Sequence, residues 1–160
     1  MSYLKLKGEL NYNPETGSLW WKKSCSGRKM DKPAGTIRKD GYTQVRFKGK
    51  SYYAHVVIFM IMEGYRPRQV DHINGDRSDN RWCNLREACP RTNGYNSRVA
   101  KDNNSGYKGV DFRKDSGKWR ARISTTFGRL EVGYFDSPEE AHKAYKEAAD
   151  KYHGDFKNYG

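Results

Sequence analysis

The stretch Val70-Asp71-His72-Ile73-Asn74-Gly75-Asp76 constrains the chain more than any other. Val70 and Ile73 flank an Asp-His pair, and Asn74-Gly75 is a strong turn signal. Thirteen residues after Asp71, Asn84-Leu85-Arg86 reads as the start of a second short strand. Nine residues after Asn84, Asn93 falls in the first turns of a helix. A carboxylate, an imidazole and two carboxamides therefore come from two strands, a turn and a helix. Such a set suits one divalent ion and one general base acting on a phosphodiester. Asp71 and Asn93 offer hard oxygen ligands, which suit Mg²⁺ or Mn²⁺ rather than a thiophilic metal. Mg²⁺ keeps waters and takes phosphate oxygens, so two protein ligands can suffice. His72 is the base, because a neutral imidazole is competent near neutral pH. One geometric condition attaches to this. Adjacent strand residues point to opposite faces, so Asp71 and His72 serve one site only where the strand end is irregular. The bland reading of the same residues is a set of turn-forming polar side chains.

The bulk properties narrow the partners. The chain has 160 residues with 31 Lys and Arg against 19 Asp and Glu, a formal net charge of +12. A charge of that size on a small protein attracts polyanions, of which nucleic acid is the commonest. Mean hydropathy is -1.09, so any core is small and leans on aromatic rings for area. Cys25, Cys83 and Cys89 contain no C-x-x-C pair, so neither a zinc knuckle nor a disulfide framework is expected. Free thiols suit a reducing cytosol. The start Met1-Ser2-Tyr3-Leu4-Lys5 lacks the apolar core of a signal peptide. The longest apolar run, Val56 to Met62, is far shorter than the roughly 20 residues a bilayer span takes. No membrane partner is expected.

The pattern along the chain is that of an α+β protein. Residues 1–53 read as short strands and turns, with Tyr12-Asn13-Pro14-Glu15-Thr16-Gly17 as a turn and Lys39-Asp40-Gly41 as a hairpin connection. Ala54 to Glu63 is apolar almost all round and is taken as a buried helix because of its length and the Gly64 that follows. His55 opens that helix and is read as structural. Gln69 to Ile73 and Asn84 to Ala88 are strands, and about 90–98 is helical. Val99 to Ser105 has linker composition and is expected to separate a domain at 1–98 from one at 106–160. In the second, three strands (108–113, 118–125 and 129–135) precede a clear helix. Ser137, Pro138 and Glu140 spell its capping box, and Ala141, Ala144, Tyr145, Ala148 and Tyr152 form its apolar stripe. Residues 107–129 hold seven Lys and Arg against Asp111 and Asp115, whereas 130–160 carry a net -3. The sheet is thus basic and its helix acidic, which fits a sheet that presents cations to a groove of duplex DNA.

Residues 70–93 resemble the ββα-metal motif of HNH endonucleases, especially the phage and intron-homing group. Upstream, Tyr-Asn-Pro-Glu-Thr-Gly, Gly-Tyr and Tyr-Ala-His resemble the lead-in of those phage proteins. The resemblance implies that His72 is the general base and that Asp71 and Asn93 are metal ligands. It also implies that Asn84 holds the loop and orients the base. Asp71 stands where many members carry His, as in the homing group. Residues 105–159 resemble the plant Apetala-two/ethylene-response-factor domain through Tyr107-Lys108-Gly109-Val110, Gly117-Lys118-Trp119, Gly133-Tyr134-Phe135 and Glu139-Glu140-Ala141. That family lays a three-stranded sheet in the major groove. Arg113 and Arg129 match its DNA-contacting arginines, and Lys118, Arg120 and Arg122 join them as expected contacts. Asp111 and Glu131 stand where the plant domains carry Arg and Trp, so the plant target sequence does not transfer.

Together the resemblances imply a metal-dependent homing-type DNA endonuclease of phage character. It would act on double-stranded DNA in the cytoplasm of a bacterial host, as a monomer or alternatively a dimer. The competing expectation is a non-catalytic, sequence-specific DNA-binding regulator.

Overall fold

The computed structural model describes residues 2–25, 28–100 and 102–160. Met1, and Lys101 of the expected 99–105 linker, lie outside the described residues. The chain divides into two compact units, 1–89 and 90–160. Each has its own core. The break in packing falls between Cys89 and Pro90, so the helix after it packs with the second unit. Among the described residues no helix is long and apolar enough to cross a membrane.

The first unit runs α1 (Ser2–Gly8), β1 (Leu10–Tyr12), β2 (Leu19–Trp21), β3 (Thr36–Ile37), β4 (Thr43–Phe47), β5 (Lys50–Tyr53), α2 (Ala54–Glu63), β6 (Gln69–His72) and β7 (Leu85–Ala88). Its strands form small antiparallel sheets: β1 with β2, β3-β4-β5, and β6 with β7. The helix α1 departs from the strands and turns expected over 1–53. Leu4-Lys5-Leu6-Lys7 alternates like a strand, but Leu6 is wholly buried while Leu4 is exposed. Packing of α1 on α2 wins over the local pattern. The helix α2 forms where expected, and the Gly64 N–H closes it onto the Met60 carbonyl at 3.1 Å. Its buried Val57, Ile58 and Phe59 meet Leu6, Leu10, Val45, Phe47, Val70 and Leu85. Of the N-terminal basic residues, Arg28 does not face water as a bare cation. Its guanidinium lies over Trp21 and Phe47, 4.5 and 4.7 Å from the ring centroids.

The second unit runs α3 (Pro90–Tyr95), β8 (Val110–Arg113), β9 (Lys118–Thr125), β10 (Gly128–Phe135) and α4 (Pro138–His153). The sheet order is β10-β9-β8, all antiparallel. The Ser137 hydroxyl accepts the Glu140 N–H at 3.2 Å and starts α4. Ala141, Tyr145, Ala148 and Ala149 bury against Val110, Ala121 and Ile123. The stripe therefore bends away from the expected one: Ala149 and His153 are inside, while Tyr152 is exposed. The 3.6-residue repeat rotates the buried face over the helix's four turns, which a fixed set of offsets does not follow. Gly109 lets the chain enter β8. Its φ is +72°, and a Cβ there would meet the Tyr145 ring at 2.4 Å and the Arg122 carbonyl at 2.6 Å. Both the left-handed backbone and the contact exclude a side chain. Gly109→Ala is expected to destabilise the second unit by at least about 2 kcal/mol, read as a fall in the urea midpoint of that unit's unfolding.

Candidate active site

The motif expected at 69–93 is built on a hairpin. β6 and β7 pair with Asp71 opposite Arg86 and His72 opposite Leu85. Residues 74–84 loop out between the two strands and return through a 3-10 turn at Trp82–Asn84. Gly75 N–H bonds the His72 carbonyl at 2.9 Å, which is the turn that Asn74-Gly75 announces.

Asn84 fastens this loop. Its buried side chain accepts the Asn74 N–H at 2.9 Å and donates to the Asp79 carbonyl at 2.8 Å. Its backbone carbonyl takes the Ile73 N–H at 2.9 Å. Asp79 adds a second tie, accepting from the Asn74 amide at 2.9 Å and from the Arg81 guanidinium at 2.7 and 2.8 Å. The hydrogen bonds from Arg81 hold the Asp79 carboxyl down at about 2.

His72 is buried, at 4% exposure, and its Nε2 lies 3.2 Å from Asn80 Oδ1. The Asn80 amide nitrogen donates to the Ser78 carbonyl at 3.1 Å and to Thr43 Oγ1 at 3.3 Å, so the carboxamide is held from both ends. Tyr12 donates to the Asn80 carbonyl at 2.8 Å. The 13–18 turn backs the same segment: Trp82 N–H bonds the Pro14 carbonyl at 3.0 Å. Gly17, with φ +74°, lets that turn press onto the Asn80–Arg81 peptide, where a Cβ would come within 2.6 Å. The lead-in turn is thus a brace for the loop.

The resemblance implies that Asn84 holds the loop and orients the base. Its side chain bonds the loop backbone at Asn74 and Asp79, and Asn80 lies against the imidazole. Asn80 sits in the run Asp79-Asn80-Arg81 between the two strands, where nothing distinguishes it from an ordinary turn residue. His55 is the second residue that the reading set aside. It lies beside His72 with ring centroids 5.1 Å apart at 79°, and Tyr42 covers both rings at 5.2 and 6.0 Å. Its Nδ1 is buried without a hydrogen-bond partner among the described residues. Burial, aided by the neighbouring His72, pushes the His55 pKa down to about 3. Burial also lowers the His72 pKa, against an opposing pull from Asn80 and nearby carboxylates.

Asp71 is buried as well, and its Oδ2 accepts from Arg86 Nε at 2.8 Å and Nη2 at 2.6 Å. Asp71 and His72 lie on opposite faces of β6 at its very end, as regular pleating requires. Asp71, His72 and Asn84 belong to the first unit, and the half-buried Asn93 lies on α3 of the second. The donor chemistry fits a divalent ion, since Asp71 and Asn93 bring oxygen alone.

On the second unit the five expected DNA-contacting residues share one face. Inward-facing Val110, Ala121 and Ile123 alternate with Lys118, Arg120 and Arg122 on the opposite side of the sheet. Register puts Arg113 opposite Lys118, and Arg129 opposite Ser124, on that same face. The face carries its own acids: Arg120 and Arg122 both reach Asp111, at 2.8 and 3.1 Å, and Arg113 pairs with Asp115. Arg129 is exposed and makes no ion pair among the described residues.

Residues 52–95 match the HNH endonuclease family, and residues 105–155 match the AP2 domain family. One stretch of the chain is thus similar to HNH endonucleases and a second, separate stretch to AP2 domains. Protein 3.8 of Escherichia phage T7 is 32% identical over 72 residues, covering 44% of this chain. The chain spans 60% of that relative's length. Among solved structures, the HNH homing endonuclease I-HmuI, described for its DNA binding and cleavage, aligns over 85% of this chain and 76% of its own at 23% identity and a TM-score of 0.44. The HNH match opens at Tyr52 and so takes in His55, the buried neighbour of the motif histidine.

The depressed pKa of His55 has a consequence for stability. Between pH 6.5 and about 3 an unfolded chain protonates this ring and the folded one does not, so stability falls as pH falls. One such proton gives a slope of at most about 1.4 kcal/mol per pH unit. His55→Phe is expected to flatten urea-midpoint curves taken from pH 7 to pH 5. Some slope remains, because the rings of His72, His142 and His153 shift the same way.

Proposed function

We propose that the protein is a metal-dependent DNA endonuclease of homing type, in which the HNH domain cuts and the AP2 sheet directs it to duplex DNA. The observation that carries this reading is His72. A buried imidazole held by Asn80, at the end of the hairpin strand that also brings Asp71, is arranged to take a proton from a water attacking a phosphodiester. Asp71 and Asn93 are the ligands for one Mg²⁺ or Mn²⁺, and Asn84 keeps the loop that carries Asn80 in register. When bound, the ion supplies electrophilic stabilisation of the phosphate and its leaving oxygen. The thiols take no part, and zinc is not expected.

Arg113, Lys118, Arg120, Arg122 and Arg129 form the face that meets DNA. Their interleaved carboxylates keep the cations apart and aimed until phosphates and base edges replace them. Tethering the two domains turns two weak contacts into one useful affinity. The proposed setting is the cytoplasm of an infected bacterial cell, with a monomer nicking or a dimer cutting both strands.

Two observations favour the rival reading of a DNA-binding regulator that does not cut. The regular register at the end of β6 parts Asp71 from His72, where a shared site needs an irregular strand end. The Asp71 carboxylate already pairs with Arg86 at 2.6 Å. Plasmid nicking with Mg²⁺ separates the two readings. His72→Ala is expected to lower nicking by at least about a hundredfold while leaving the mobility shift in EDTA unchanged. Equal nicking by both proteins, or a shift with no nicking by either, sinks the nuclease.

The sheet makes a separate prediction. Arg129→Ala should weaken DNA binding by roughly tenfold, from a lost contact of about 1–3 kcal/mol, without altering the Mg²⁺ requirement. Unchanged affinity places the DNA on another surface.

A further inference from the structure

Phe127 is the large hydrophobic side chain that the fold leaves most uncovered among the described residues. It is 96% exposed, and the next, Ile37, stands at 69%. It sits at the tip of the β9–β10 hairpin, where Thr125 pairs with Gly128 and only Thr126 and Phe127 join the strands. Turn positions favour Gly, Asn, Asp, Ser and Pro, each for its backbone angles or its hydrogen bonds. A phenyl ring serves neither need, so the turn itself does not explain Phe127. The tip is also held in place. The Thr125 side chain is buried, and its hydroxyl accepts the Phe127 N–H at 3.1 Å and donates to the Gly128 carbonyl at 2.9 Å. Arg91 Nη1 donates to the Thr126 carbonyl at 2.8 Å. A fixed turn thus presents a large apolar ring to water, against the general preference of such rings for burial.

The charge around the ring points to its partner. Residues 118–130 hold Lys118, Arg120, Arg122 and Arg129 and no carboxylate. Asp111 on β8 pairs with Arg120 and Arg122, but Arg129, the cation nearest the ring in sequence, pairs with no acid among the described residues. A partner for this hairpin is a polyanion that also offers something apolar. Duplex DNA does both. Its major groove, about 12 Å wide, admits a two-stranded ribbon, whereas the minor groove is only about 6 Å wide. The base edges in the major groove carry one apolar group, the C5 methyl of thymine. We propose that Phe127 is a specificity-determining contact that packs its ring on a thymine methyl while the neighbouring cations hold phosphates. This rests on the reading of the β8–β10 face as the surface that meets DNA. It adds an apolar readout to a face whose five expected contacts are all cations. Such a contact tells A·T from G·C without a hydrogen bond. It also tells DNA from RNA, whose uracil lacks the methyl and whose deep, narrow major groove keeps side chains out.

The test uses full-length protein, mobility shifts in EDTA, and one plasmid fragment that the parent shifts, amplified with either dTTP or dUTP. Uracil keeps the base pairing and the phosphates and loses the methyl. The parent should bind the thymine fragment about fourfold more tightly, the effect of roughly one buried methyl group. Phe127→Ala should bind both fragments alike. Phe127→Leu should keep most of the preference, because an apolar side chain remains at the tip. A ring this exposed supports no core, so both variants should match the parent by circular dichroism. Arg129→Ala is the reference for the sheet, and should weaken binding to both fragments equally while keeping the preference. If Arg129→Ala weakens binding and Phe127→Ala still prefers thymine, the ring does not read the methyl and the sheet reading stands. If the parent binds both fragments alike and Phe127→Ala weakens both equally, the ring meets DNA elsewhere and the thymine contact is wrong. If neither variant changes affinity and the parent shows no preference, the sheet reading fails and takes this inference with it.

Discussion

A buried carboxamide holds the candidate site in shape. Asn84 spends both ends of its side chain on the backbone of one loop, at Asn74 and at Asp79, and its own carbonyl on Ile73. Each such bond is worth only about 1 kcal/mol net, but each partner left unpaired in the interior costs about 1–3. The loop therefore has little freedom to open by degrees. Asn80 lies inside the fastened segment, and through it the geometry passes to Nε2 of His72. An Asp in place of Asn84 would keep the acceptor and lose the donor, leaving a buried charge beside the Asp79 carbonyl. The residue type is fixed by the need for one donor and one acceptor at one spot.

What was legible in the sequence was local. The Asn-Gly turn, the Ser137 cap and the all-round apolar Ala54–Glu63 each declare their conformation within a few residues, and each forms as read. What was hidden depends on partners far along the chain. The helix α1 alternates Leu and Lys like a strand and becomes a helix only because Leu6 finds a buried place beside α2. His55 opens an apolar helix and reads as structural until the fold sets its ring 5.1 Å from His72. Asn80 looks like any loop residue, and its two anchors, Thr43 and Ser78, are 37 and 2 positions away. Spacing predicts which elements exist. It does not predict which side chain of a loop turns inward.

The charge pattern was read more simply than the molecule arranges it. A basic sheet and an acidic helix were expected, and the sheet face does hold the five cations together. It also holds Asp111 between Arg120 and Arg122. Half-exposed ion pairs of this kind add little to stability. Their effect is on geometry, since an arginine with a carboxylate beside it keeps one rotamer instead of many. A face ordered in this way pays less side-chain entropy when it meets a ligand. Asp111 departs from the plant pattern, where Arg is usual, and the departure changes which groups are left to reach outward. Arg129, which pairs with no acid among the described residues, is the cation most ready to do so.

The Asp71–Arg86 pair brings the argument back to the proposed ion. Both side chains are largely buried, at 7% and 15% exposure, and Nε and Nη2 of the guanidinium both donate to Oδ2 of the carboxylate. As a pair they are close to neutral, so a divalent cation approaching Asp71 gains little from the long-range field of this otherwise basic protein. The negative charge that such a cation needs is carried by DNA. Mg²⁺ favours phosphate oxygens and retained water over a full set of protein ligands. If Asp71 takes part in holding the ion as proposed, its paired carboxylate would do so best when a phosphodiester is already present. On this reading Arg86 is not an obstacle to metal binding but a brake on it, which keeps the hydrolytic site weakly charged until substrate completes the coordination.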